Sequence, residues 1–137
     1  MELTKGQQDG LEIACRRYKE KAPYTVIAGY AGTGKTTLVH FIIQELGLHE
    51  NQVVFVAYTG KAALVLKQKG NKNAMTAHKL LYHSEELPDG TYRHTPRVKL
   101  EKKYRLVVVD EASMLPQEMI DLLLSHYVYT IFLGDPS

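Results

Sequence analysis

The sequence predicts an α/β fold: a mostly parallel sheet of four or more strands, flanked by helices, with a small hairpin insertion. Three observations carry that expectation. Four short runs rich in Val, Ile, Leu and Phe recur along the chain, separated by segments of helical character. The first run opens directly into a glycine-rich loop, and the third ends on two adjacent carboxylates, Asp110 and Glu111. Strands covered by helices on both faces read as continuous apolar runs, and ligand chemistry collects at their carboxyl ends.

Taken in order, Thr4-Lys5-Gly6-Gln7 reads as a capping box that opens a helix running to about Lys21, ended by Pro23. Tyr24–Ala28 is the first strand. Lys35–Leu46 is a helix with Leu38, Val39, Ile42 and Leu46 on one face, stopped by Gly47. Val53–Ala57 is the second strand, Lys61–Lys69 a short helix closed by Gly70, and another short helix begins near Thr76. Residues 83–103 are polar, with Pro88-Asp89-Gly90 at their centre, and Asp-Gly between potential strands is a hairpin signal. Leu106–Val109 is the third strand, Pro116–Tyr127 a helix, and Val128–Leu133 a fourth strand ending in Gly134-Asp135.

Composition narrows the classes. A chain of 137 residues with 45% hydrophobic and 23% charged residues is sized and composed like one globular domain. No apolar run approaches the roughly 18–20 residues that span a bilayer, and Met1-Glu2-Leu3-Thr4-Lys5 lacks signal-peptide character, so a cytoplasmic protein without a membrane partner is expected. One cysteine, Cys15, excludes an internal disulfide and any cysteine metal cluster. Its neighbours at helical spacing, Leu11, Ala14 and Tyr18, make it a core thiol. The net charge of +2 conceals a basic block: residues 61–105 hold eleven basic and four acidic side chains, while residues 106–137 hold five acidic and no basic ones. Such a block is often only a solvated face. Its place between two acidic or phosphate-binding motifs favours contact with a polyanion.

Gly29-Tyr30-Ala31-Gly32-Thr33-Gly34-Lys35-Thr36-Thr37 is a complete G-x-x-x-x-G-K-[ST] phosphate loop. Glycines allow successive backbone N–H groups to turn toward phosphate oxygens, and the following helix presents its positive dipole end to the same anion. Gly29, Ala31, Gly32, Thr33, Gly34, Lys35, Thr36 and Thr37 are therefore the candidate nucleotide-binding residues. Lys35 is suited to the β- and γ-phosphates of ATP, and the Thr36 hydroxyl to Mg²⁺. A chance glycine-rich turn would not have a buried-type strand before it and an amphipathic helix after it. Asp110 completes a candidate magnesium site with Thr36, and Glu111 is the candidate base that activates the water attacking the γ-phosphate. Two solvated acids ending a strand are the bland alternative, which the intact upstream loop makes a minority view.

Motif by motif and in order, the whole chain resembles superfamily 1 DNA helicases of the RecD-like branch. Leu3-Thr4-x-x-Gln7 is similar to the family's Q motif, implying that Gln7 reads the adenine edge. Ala57-Tyr58-Thr59-Gly60-Lys61-Ala62-Ala63 is similar to motif Ia, usually Ala-Pro-Thr-Gly-Arg-Ala-Ala, with Tyr58 in place of proline and Lys61 in place of arginine. Thr76-Ala77-His78-Lys79-Leu80-Leu81 resembles a Thr-x-His-x-Leu-Leu segment of the DNA-binding face. The resemblance thus implies DNA contacts from Thr59, Lys61, Thr76, His78 and Lys79. Asp110-Glu111-Ala112-Ser113-Met114 is similar to motif II, and Gly134-Asp135-Pro136-Ser137 to the start of motif III, which adds Asp135 to the nucleotide-binding candidates.

What the resemblance implies is a RecA-like P-loop NTPase core, ATP and Mg²⁺ as cofactors, single-stranded or forked DNA as partner, and 5′→3′ unwinding in a parent protein. It makes residues 1–137 a truncated first motor domain, and residues 83–103 a candidate pin hairpin that splits the duplex, with Asp89-Gly90 at its tip and Tyr92, Arg93 and His94 as candidate contacts to the fork; a plain surface loop is the alternative. The second motor domain, whose arginines reach the γ-phosphate, is expected elsewhere in the parent, so this chain alone should bind nucleotide without unwinding DNA. Two other classes compete: a non-catalytic nucleotide-binding module, and a different P-loop ATPase such as a clamp-loader type or a small-molecule kinase. The motif Ia and Thr76–Leu81 segments have no role in the latter.

Overall fold

Thr4 starts the first helix as expected. Its hydroxyl accepts from the Gln7 amide N–H at 3.1 Å, and the Gln7 side-chain oxygen accepts from the Thr4 N–H at 2.9 Å. This capping box satisfies backbone donors that the first helical turn leaves orphaned. The computed structural model describes residues 3–28 and 34–134. Helix α1 spans Lys5–Lys19 and ends at Glu20, with Lys21 in the left-handed conformation (φ 61°). The helix therefore ends two residues short of the expected Lys21. Strand β1 (Tyr24–Ile27), helix α2 (Gly34–Glu45), strand β2 (Val53–Ala57) and helix α3 (Gly60–Gln68) follow. Gly47, at φ 68°, closes α2 in the conformation that glycine adopts without a Cβ penalty.

Strand β3 (Ala74–Thr76) has no counterpart among the predicted elements; three residues are too few to carry a periodic signal. It leads into helix α4 (Ala77–Leu81) and then an antiparallel hairpin of β4 (Tyr82–Glu86) and β5 (Tyr92–Pro96). The hairpin turns at the expected Asp89-Gly90, where Gly90 takes φ 87° and Asp89 accepts from the Thr91 N–H at 3.0 Å and its hydroxyl at 2.6 Å. It is shorter than the polar segment 83–103, because the chain leaves the hairpin after Arg97, whose N–H donates to the Leu81 carbonyl at 2.8 Å, and Leu100 packs against the core. Strand β6 (Leu106–Val109), helix α5 (Gln117–Leu124) and strand β7 (Thr130–Leu133) complete the described chain. Both of the last two are shorter than their apolar runs. Pro116 is the N-cap of α5, and Tyr127 (φ 57°) breaks the chain before β7.

Five strands form one parallel sheet in the order β1-β7-β6-β2-β3. Alternate residues of each strand serve two separate cores. Phe55, Leu106, Val108, Ile131 and Leu133 pack with Leu38, Val39 and Ile42 of α2 and with Ala14 and Cys15 of α1. Val54, Val56, Val107, Val109 and Phe132 pack on the opposite side with Leu80 and Leu81 of α4 and Met119 and Leu123 of α5. The result is a helix–sheet–helix sandwich, and Cys15 is a buried core thiol as the spacing implied. Burial raises the Cys15 thiol above its ordinary range, aided by the Glu45 charge. Because the sheet is parallel throughout, the residues after all five strands emerge along one edge. Among the described residues no helix is long and apolar enough to cross a membrane.

Candidate active site

Along that carboxyl edge, α2 begins at Gly34 and brings Lys35, Thr36 and Thr37 into its first turn, all half-buried. Gly29, Ala31, Gly32 and Thr33 of the phosphate loop, and Asp135 after β7, lie outside the described residues. The backbone ladder of β6 continues one residue past the strand: the Asp110 N–H donates to the Val56 carbonyl at 2.9 Å. Glu111 then turns into the left-handed region (φ 52°, ψ 54°), followed by a single 3₁₀ turn over Ala112–Met114. For a residue with a Cβ that conformation costs roughly 1–2 kcal/mol, a local strain characteristic of functional turns.

That turn resolves a geometric objection to the acid pair, since neighbouring side chains on a strand point to opposite faces. The chain leaves the extended conformation at Glu111, whose charge acts on the Asp110 carboxyl. Burial raises the Asp110 carboxyl above its ordinary range, the Glu111 charge raises it further, and the Lys35 ammonium opposes both. Lys35 therefore lies within electrostatic reach of Asp110, although 75 residues separate them in sequence.

Gly134 pins the same corner. Its N–H donates to the Ile27 carbonyl of β1 at 3.0 Å, and its φ is 113°. A Cβ built there would stand 3.7 Å from the Glu111 Cα and 3.6 Å from the Ala112 nitrogen. The ends of β1, β6 and β7 thus meet at one point, and any side chain at Gly134 would be conformationally strained.

A raised Asp110 has a consequence for stability. A carboxyl whose folded value exceeds its ordinary 3.8 favours folding in its acid form; that contribution is complete below 3.8 and is lost as pH rises through the folded value. At neutral pH the ionised group is thus a liability in the nucleotide-free chain. Asp110→Asn should raise the melting temperature of that chain at pH 7, with a smaller gain at pH 4. An unchanged or lower melting temperature at pH 7 would show that the carboxylate is compensated.

Gln7 sits at the entrance to this corner. Its side-chain oxygen serves the capping box, and its amide nitrogen donates to the Gly34 carbonyl at 3.4 Å, linking α1 to the start of α2. The DNA-facing candidates lie farther along the same edge. Thr59 and Thr76 each have a local duty that spacing alone did not reveal. The Thr59 hydroxyl caps α3 by accepting from the Ala62 N–H at 3.1 Å, and the Thr76 hydroxyl caps α4 by accepting from the Lys79 N–H at 3.1 Å. Lys61, His78 and Lys79 are exposed in the first turns of those helices. The rings of Tyr58 and Tyr82 both approach that of His78, at centroid distances of 6.1 and 5.6 Å.

The basic block does not form one face. Lys61 and Lys79 follow β2 and β3 at the carboxyl edge. Lys99, Lys102, Lys103 and Arg105 precede β6 and border a cleft with Ser125 and Tyr127, which precede β7, at the amino edge. Charge counted along the sequence merged two surfaces that the fold separates.

The donor set fits magnesium. A hydroxyl at Thr36 and a carboxylate at Asp110 are hard oxygen donors, and among the described residues no three His, Cys, Asp or Glu side chains gather into a metal cage. Magnesium characteristically takes one or two protein oxygens and completes its shell with water and phosphate.

Residues 2–137 match the family model described as AAA domain. The chain is 31% identical over 137 residues to the "ATP-dependent DNA helicase dda" of Enterobacteria phage T4, covering 90% of this chain and 29% of the phage protein. It is 33% identical over 135 residues to an uncharacterized protein of Acanthamoeba polyphaga mimivirus, covering 80% of this chain and 27% of that protein. An uncharacterized protein of Methanocaldococcus jannaschii is 33% identical over 129 residues, 80% of this chain and 11% of the relative. The chain spans less than a third of the length of each of these relatives. With a parallel five-stranded sheet, a complete phosphate-loop sequence and an acid pair at one sheet edge, the chain belongs to the AAA-domain family, as a helicase-like P-loop NTPase core.

Proposed function

We propose that this chain forms the ATP-binding wall of a first motor domain in an ATP-dependent DNA helicase of the RecD-like branch. One observation carries the reading: the Lys35 ammonium, at the start of α2, acts on the Asp110 carboxyl, which leads into the Glu111 turn that Gly134 packs against. Residues Gly29–Thr37 would cradle the phosphates of ATP, with Asp135 and Gln7 alongside. Thr36 and Asp110 would hold Mg²⁺, which neutralises phosphate charge when bound. Lys35 would steady the β- and γ-phosphates, and Glu111 would take a proton from the attacking water. Gln7 would read adenine with the amide hydrogen that its bond to Gly34 leaves over.

Lys61, His78 and Lys79 would meet the DNA, with Thr59 and Thr76 setting the helix starts that present them. The likeness to the phage helicase, the motif Ia segment and the Thr76–Leu81 segment support single-stranded or forked DNA as the partner. A second motor domain in the parent protein would close over the nucleotide, and a cytoplasmic location suits such an enzyme.

Turnover tests the reading. A parent protein carrying this sequence should hydrolyse ATP faster with saturating single-stranded DNA and should open a forked duplex. Absence of DNA-stimulated hydrolysis would favour a non-catalytic nucleotide-binding module. The β4–β5 hairpin, exposed beyond its first residue Tyr82 and with Arg93 and His94 on β5, supports a role as the strand-separating pin. Deleting residues 86–96 in the parent should impair unwinding several-fold and spare DNA-stimulated hydrolysis. Equal loss of both activities would sink the pin assignment.

A further inference from the structure

Segment 97–105 returns the chain from the hairpin to β6 and is anchored within the fold. At its end the Arg105 N–H donates to the Gln52 carbonyl at 2.7 Å, just ahead of β2. Leu100 and Tyr104 pack on the second core and hold the segment down. The residues around these anchors are open to solvent: Lys99, Lys102, Lys103 and Arg105 are exposed, and Val98 is 98% exposed. Across from them runs the turn between α5 and β7. Its Tyr127 is 94% exposed and takes φ 57°, a strained conformation for a bulky side chain. The two segments border a cleft of about 500 Å³ at the amino edge of the sheet.

Charge there is one-sided. The four cations line the cleft and no carboxylate does, and none of the four is ion-paired among the described residues. Glu101, the acid of that segment, is held by Arg97 at 2.9 Å and borders another cleft. His126 also lines the amino-edge cleft, and burial lowers its imidazole below the ordinary range, so it adds no charge at pH 7.

We infer that the amino-edge cleft is a docking site for an acidic segment of a protein partner, with its carboxylates on Lys99, Lys102, Lys103 and Arg105 and its apolar side chains on Val98 and Tyr127. Four unpaired cations attract a polyanion and speed its encounter. Val98 and Tyr127 offer apolar surface that a partner can take out of water, and a tyrosine gives a large contact area at low entropic cost. A nucleic acid is polyanionic too, but its bases stack on π-faces, and valine has none. Docking at this edge leaves the carboxyl edge, with Lys35, Lys61 and Lys79, open to nucleotide and DNA.

Fluorescence anisotropy with the 137-residue chain tests it at about 0.1 M salt, where charges more than about 10 Å apart are largely screened. Three labelled probes are needed: a peptide of four Asp-Asp-Leu repeats, a peptide of four Asp-Asp-Ser repeats, and a thymidine 12-mer. The leucine peptide should bind about fivefold more tightly than the serine peptide, the scale of one partly buried leucine. Lys102→Ala with Lys103→Ala should weaken both peptides about fivefold and leave the thymidine strand within about twofold. Tyr127→Gly should abolish the preference for leucine; glycine adopts φ 57° freely, so folding should survive, which circular dichroism verifies. Failure of either peptide to bind, equal affinity for the two, or peptide affinities unmoved by the lysine substitutions would overturn the docking site. Loss of thymidine binding as large as the peptide loss would overturn it as well and make the cleft a nucleic-acid surface.

Discussion

Glu111→Gln should lower ATP turnover in the parent protein by about 10²–10⁴-fold while ATP binding survives. The amide keeps the size and hydrogen-bonding reach of the carboxylate but cannot take a proton from water. The left-handed turn at residue 111 does not depend on the side-chain charge, so the corner formed with Gly134 should persist. Removing one of two coupled charges should also ease the ionisation of Asp110, which Glu111 pushes upward. Magnesium affinity should then fall modestly, because a single carboxylate attracts the ion less strongly than a pair. Single-turnover hydrolysis, beside equilibrium binding of a fluorescent ATP analogue, separates the two effects. Hydrolysis at the normal rate would remove Glu111 from the role of base and leave the phosphate-binding assignments untouched.

Lys35→Ala should act on both binding and chemistry. Lys35 is a cation that opposes the charge at Asp110, and it stands in the first turn of α2, whose dipole would face the phosphates. Without it, a nucleotide with several negative charges would approach two carboxylates screened only by magnesium. Turnover in the parent should fall by at least about 10²–10³-fold, the scale found when one preorganised charge donor is removed from a transition state. Binding of the ATP analogue to this chain should weaken at the same time, which distinguishes Lys35→Ala from Glu111→Gln. DNA binding measured without ATP should persist, since Lys61, His78 and Lys79 lie beyond β2 and β3 on the same edge. Turnover within threefold of normal would be incompatible with a phosphate-contacting lysine.

Much of this was legible in the string of residues. The runs Val53–Ala57 and Leu106–Val109 coincide with strands because both of their faces are buried, so every position had to be apolar. Thr4 and Gln7 announced a helix start because a capping box is satisfied within four residues. Asp89-Gly90 located the hairpin tip for the same reason: a tight turn is decided by its own backbone. The phosphate loop and the acid pair are proposals of the same kind, since each is a local spacing of residue types with one dominant chemistry.

What remained hidden depended on which strands become neighbours. Strand β3 is too short to show a period, and it exists because β2 offers it a partner. The approach of the Tyr58 ring to that of His78 follows from that pairing, as no local rule places residue 58 beside residue 78. The basic stretch looked uniform until the direction of β6 sent Lys99–Arg105 to the opposite edge from Lys61 and Lys79. Local hydrogen bonds and side-chain periodicity are properties of contiguous residues, so they are written in the chain. Strand order and register are selected by burial of whole faces against one another, and that selection alone brings Lys35 within electrostatic reach of Asp110 and sets Gly134 against Glu111.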